Sequence, residues 1–191
     1  MPSSGQERCC SVCCISGRRS LDNGSFHFAQ GRTARLLDLG ASLSGCRKPL
    51  RDGVSGRQEQ GSVQARVLDM VWRTGFWYVV MQVDTNANCD IQGACGAATD
   101  SNVLWLKLTP RLTLAARQAV PVSTCRPVTE LVRFSGPRPD ETQPPALELS
   151  GGVLALESRT EGGDGPAGRL TLHSDRRAPE RGLNVKSGAQ P

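Results

Sequence analysis

Histidine is nearly missing from this 191-residue chain: His27 and His173 are the only two. That leaves little imidazole for proton transfer or for a histidine-rich metal centre. His173, Ser174 and Asp175 are chain neighbours on a stretch that reads as a strand. Successive side chains there leave on opposite faces, so they form no preassembled triad. Aromatic residues make up only 4%, and of 23 cationic residues only Lys48, Lys107 and Lys186 are lysine. The arginine excess reads as a GC-rich coding bias and not as selection for anion binding. No apolar run reaches the 18 or so residues that cross a bilayer as a helix. Met1–Arg8 leads into cysteines and not into the apolar core of a signal peptide, so export needs another route or a different start. Phosphate-binding and dinucleotide loops are also lacking, because Gly162-Gly163-Asp164-Gly165 runs into Pro166 and a strand. These absences point to a non-enzymatic protein.

What is present favours short strands joined by turns. Gly (21) and Pro (12) are plentiful, and the 38% apolar content suits a core drawn from about two-thirds of the chain. The net charge of +5 is uneven: residues 1–80 carry 11 Lys/Arg against 6 Asp/Glu, and the remainder carries 12 against 12. In that basic half the cations are scattered singly, apart from Arg18-Arg19 and Arg47-Lys48. They read as a solvated surplus, with no specific nucleic-acid partner.

The densest apolar window is Phe76-Trp77-Tyr78-Val79-Val80-Met81-Gln82-Val83, with a single polar residue in eight. Lacking alternation, it reads as a central strand covered on both faces. Before it, Val63, Val67, Met70 and Val71 at i, i+4, i+7 and i+8 predict an amphipathic helix over 62–73, capped by Ser62 and ended by Thr74-Gly75. After it come strands at Val103–Leu108 and Val128–Phe134. A hairpin then turns on Gly151-Gly152, setting Leu149 opposite Leu154 and Leu147 opposite Leu156, with a further strand over Gly168–His173. The expected fold is mainly β (α+β): a short amphipathic helix followed by an antiparallel meander or sandwich. Residues 1–60 are expected to be disordered or loosely ordered and dispensable for stability. Residues 61–175 form the globular domain, and 176–191 a polar, basic tail.

Three groups of residues carry candidate chemistry. Cys9, Cys10, Cys13 and Cys14 beside Arg18-Arg19 suit lipid attachment, a CxxC metal half-site or a redox pair, of which acylation demands the least geometry. Asp84, Asn86, Asn88 and Asp90 alternate like the oxygen ligands of a calcium loop, although Cys89 and Cys95 stand where such a loop wants Gly and Glu. Cys89 and Cys95 are candidate disulfide partners, with Cys125 able to compete for either. The tripeptide Asn23-Gly24-Ser25 is a glycosylation sequon that matters only in a secretory lumen.

Taken together, the expected helix, the strand from Trp77 to Asp84, the Asn-rich loop and the later strands make residues 62–191 resemble the globular domain of GspH/FimT-type minor pilins (pseudopilins). Those domains often carry a W-x-V-x-x-D-x-N-x-N segment, echoed loosely from Trp77 to Asn88, and a Gly-x-Leu-Thr-Leu strand, echoed at Gly168–Leu172. Their cleavable leader and long N-terminal apolar helix have no counterpart here. The resemblance implies a structural subunit of a pilus or secretion system, at the cell surface or otherwise outside the cytoplasm, with protein partners or self-assembly. The alternative is an intracellular adaptor whose only hold on the membrane is the acylated cysteine cluster.

Overall fold

The computed structural model describes residues 15–18, 25–30, 33–38, 50–51, 58–59, 63–86, 99–125, 129–134, 136, 146–160 and 168–189. Their strands are antiparallel throughout. An N-terminal sheet holds β1 (Ile15–Arg18), β2 (Ser25–Gln30) and β3 (Thr33–Asp38), and a small ribbon pairs β4 (Leu50–Arg51) with β5 (Gln58–Glu59). The central sheet is a meander of β6 (Val63–Arg73), β7 (Phe76–Asn86), β8 (Thr99–Leu108) and β9 (Leu114–Ser123). The second four-stranded sheet holds β10 (Thr129–Phe134), β11 (Val153–Thr160), β12 (Gly168–Ser174) and β13 (Leu183–Ala189), in that order.

Strand β7 is buried on both faces, as its unbroken apolar run predicts. Trp77, Val79, Met81 and Val83 join Leu104, Leu106, Leu108 and Leu112 on one face, where Phe28 of β2 and Leu37 of β3 pack against them. Phe28 and Leu37 belong to the stretch expected to be dispensable. On the other face Tyr78, Val80, Val103, Trp105, Val120 and Val122 meet Leu147, Leu154, Leu156, Leu172 and Leu183 from the second-sheet side. The β7–β8 register places Val79 opposite Leu106 and Val80 opposite Trp105, so both clusters are built from the same two strands.

Three expectations need correction. The amphipathic helix over 62–73 is strand β6, joined to β7 by a two-residue turn with Thr74 and Gly75 at φ 50° and 79°, the positive values of a type I′ hairpin. The helical spacing arose from a β-bulge. Val67 lies opposite Met81 but Asp69 lies opposite Val80, so Leu68 is an inserted residue. The insertion shifts the period-2 pattern by one step and brings positions 63, 67 and 70 onto one face, which imitates a 3.6-residue repeat. β-branched Val63, Val67 and Val71, paired along β7, are at ease in a strand. The second correction concerns residues 176–191, expected as a tail: they contain a 3-10 turn (Pro179–Arg181) and β13, which pairs with β12 from Leu183 to Ala189.

The third correction concerns the hairpin. Gly151 and Gly152 form a two-residue turn at φ 59° and 78°, closed by a single bridge, Ser150 to Val153. Beyond it, the edge of β11 pairs with β10, so Leu156 lies opposite Phe134 and not opposite Leu147. The four leucines still converge on one cluster, because a backbone bond to the central sheet holds Leu147 there. The two glycines differ in surroundings. A Cβ on Gly151 would meet nothing within 4 Å, whereas one on Gly152 would stand 2.4 Å from the Ser174 carbonyl oxygen. Gly151→Ala should therefore cost about 1–2 kcal/mol, the left-handed backbone penalty alone. Gly152→Ala should cost more, because backbone must also move. Urea unfolding midpoints of the two variants will show that order.

Candidate functional site

Polar side chains are buried at the end of the central sheet where β7 leaves the apolar core. Gln82, the one polar residue in the apolar window, points toward the second sheet. Its Nε2 donates to both Asp84 carboxylate oxygens at 3.0 Å, and its Oε1 accepts the backbone N–H of Leu147 at 3.0 Å. Ser101, directly opposite Asp84 on β8, donates its hydroxyl to Asp84 Oδ1 at 2.6 Å. One carboxylate thus gathers two strands, and the amide beside it reaches across to the covering segment. Burial pushes the Asp84 carboxyl above its ordinary value of 3.8. The bonds from Ser101 and Gln82 and the charge of Arg66 pull it down without cancelling that rise.

On the opposite face Asp100 is buried too, with its Oδ1 accepting the Cys125 backbone N–H at 2.8 Å. Burial raises its carboxyl as well, and the Cys125 bond opposes the rise.

Further bonds tie the sheets together. The Trp105 indole N–H donates to the Pro179 carbonyl at 3.0 Å. Gln118 on β9 donates to the Leu183 carbonyl at 3.0 Å and accepts the Leu183 N–H at 2.8 Å. Arg176, in the β12–β13 connection, places its Nε 3.0 Å from both oxygens of Asp69 at the β6 bulge. The same Asp69 accepts the Met70 backbone N–H at 2.8 Å. The three large apolar side chains most exposed among the described residues all sit on sheet edges: Val67 and Trp72 on β6, Val185 on β13. Trp72 is 44% exposed, its ring centroid 4.9 Å from that of Trp77.

Of the proposed calcium ligands, Asp84 lies inside the sheet with its carboxylate engaged by Gln82 and Ser101, and Asn86 ends β7. Asn88 and Asp90 lie outside the described residues, as do Cys89, Cys95 and the cluster Cys9, Cys10, Cys13 and Cys14. Among the described residues no group of three His, Cys, Asp or Glu is placed to hold a metal ion, and no helix is long and apolar enough to cross a membrane. His173 and Ser174 end β12, and Asp175 Oδ1 accepts the Arg177 backbone N–H, closing a turn.

Sequence reasoning passed over Gln82, Ser101, Asp69, Gln118 and Arg176. Gln82 alone carried a visible signal, since an amide within a doubly buried strand must find partners there. Comparison with protein families, characterised proteins and solved structures finds no match to this chain.

Two predictions follow from the buried network. Gln82→Leu keeps the volume roughly but leaves the Leu147 N–H and the Asp84 carboxylate short of partners. It should destabilise by about 2–4 kcal/mol in chemical unfolding. Asp84 and Asp100 titrate higher in the folded protein than in the unfolded chain. Their contribution is therefore full below pH 3.8 and is lost as pH rises through the raised values. Measured across that range, the stability of Asp84→Asn relative to the unmodified protein should improve steadily toward neutral pH.

Proposed function

We propose that the chain is a non-enzymatic, β-rich structural or interaction module acting outside the cytoplasm, akin to the minor pilin-like subunits it resembles. The observation that carries this reading is the use made of its buried polar groups. Buried Gln82, Asp84, Ser101 and Trp105, with half-buried Gln118 beside them, are spent on joining strands and sheets. Such a frame suits bearing contacts with neighbours. Exposed Trp72 and Val67 on an edge strand support an associating surface. A disulfide at Cys125, for which Cys89 and Cys95 are the candidate partners, would suit an oxidising compartment.

The calcium reading leans on Asn86, Asn88 and Asp90, because the Asp84 carboxylate is already engaged. Titration calorimetry at millimolar calcium tests it, since weak extracellular sites bind at roughly 10⁻⁴–10⁻³ M. The cysteine cluster at 9–14 supports the second reading, a lipid-tethered adaptor, through protein partners in either case.

Thiol alkylation in intact cells, followed by native sedimentation, separates the readings. The structural module predicts Cys125 protected from alkylation and a species larger than the 20.4 kDa chain. Cys125 alkylated in a monomeric protein would overturn it. Thioester-sensitive lipid on Cys9–Cys14 would select the adaptor.

A further inference from the structure

We propose that strand β6 is a self-recognition edge, through which two copies of this chain join antiparallel about Val71. The inference rests on the interaction reading above and names the partner as a second copy.

The backbone supplies the first reason. Arg73 and Phe76 flank the two-residue Thr74-Gly75 turn, so they exchange N–H and C=O with each other. Alternation then turns Val71 toward β7 as well, and directs the N–H and C=O groups of Met70 and Trp72 outward. The Met70 amide shows this directly, because it donates to Asp69 Oδ1 and not to β7. Among the described residues nothing pairs with that outer side of β6. Such an unpaired row of donors and acceptors is a template for another strand.

Charge supplies the second reason, and it fixes the register. In an antiparallel pair centred on Val71, Met70 lies opposite Trp72 of the second copy, so the outward groups of both residues meet as hydrogen-bonded pairs. Asp69 then lies opposite Arg73 of the second copy, and Arg73 opposite its Asp69, giving two opposite-charge cross-strand pairs on one face. On the other face the exposed Trp72 is set beside Met70 of the second copy. Registers centred on Met70 or on Trp72 leave both charges without an opposite partner.

The structure also limits this edge. The bulge between Val67 and Asp69 ends the regular ladder, which confines pairing to about residues 69–73. Arg176 already holds the Asp69 carboxylate, and the Met70 N–H is occupied by that same group. The second copy must compete with both, so the association is reversible.

Sedimentation equilibrium of the full chain over a range of concentrations tests this. The unmodified protein is expected to self-associate. Asp69→Arg and Arg73→Asp should each weaken association about tenfold or more, because each places like charges at both cross-strand positions. An equimolar mixture of these two variants should associate again, since opposite charges then face each other at both positions. Recovery in the mixture also shows that both variants fold. Either variant associating as strongly as the unmodified chain, or a mixture that stays dissociated, would overturn the proposal. A purified chain that is monomeric at every concentration, although the native protein sediments in a larger complex, would overturn β6 self-pairing and leave the interaction reading standing.

Discussion

Strand β7 has no wet side, and the rest of the architecture answers that constraint. A strand with Trp77, Val79 and Met81 on one face and Tyr78 and Val80 on the other needs two covers. The chain supplies one from each direction: β2 and β3 from upstream, and the second sheet from downstream. The same constraint governs polarity. Gln82 and Asp84 have no water to turn to, so each is satisfied by a neighbouring strand or by the covering segment at Leu147. Removing one partner leaves a buried polar group stranded, and that asymmetry makes these bonds specify a single alignment of the layers.

The strand content was legible because it is written in local composition. The apolar density of 76–83 announced a strand buried on both faces, and the alternation of Leu104, Leu106 and Leu108 announced its neighbour. Gly151-Gly152 marked a turn that is present. Pairing beyond that turn was not legible. Leu147 and Leu149 look like the natural partners of Leu156 and Leu154, yet β10 takes that edge of β11. Which strand wins an edge depends on contacts distant in sequence, and periodicity carries no information about them. The cross-sheet bonds escaped for the same reason: nothing about Gln118 or Arg176 in isolation says that Leu183 or Asp69 stands opposite.

Strand β6 shows how a correct pattern can carry a wrong meaning. One inserted residue at Leu68 turned a two-residue repeat into an apparent helical one. The insertion is also where Asp69 gathers the Met70 amide and the Arg176 guanidinium. A feature that disguises the strand from a reader of sequence is thus the one that limits how much of its edge is open. Bulges with a charged residue beside them are a recurrent means of keeping edge strands from pairing without limit. Here the guarded stretch is followed at once by Met70, Trp72 and Arg73, where the edge resumes.

The order in which the layers are encoded has a kinetic consequence. All four strands of the central sheet come from the continuous stretch 63–123, and each pairs with its chain neighbour, so the meander is built from contacts close in sequence. Its second cover is completed only when Leu183–Ala189 arrives. At ordinary rates of synthesis roughly 3–13 s separate the two events. For that interval Tyr78, Val80, Val103 and Val120 form an apolar surface whose cover is incomplete. The nascent chain is most vulnerable to wrong association then, and a chaperone that holds apolar strands would do most for it in those seconds.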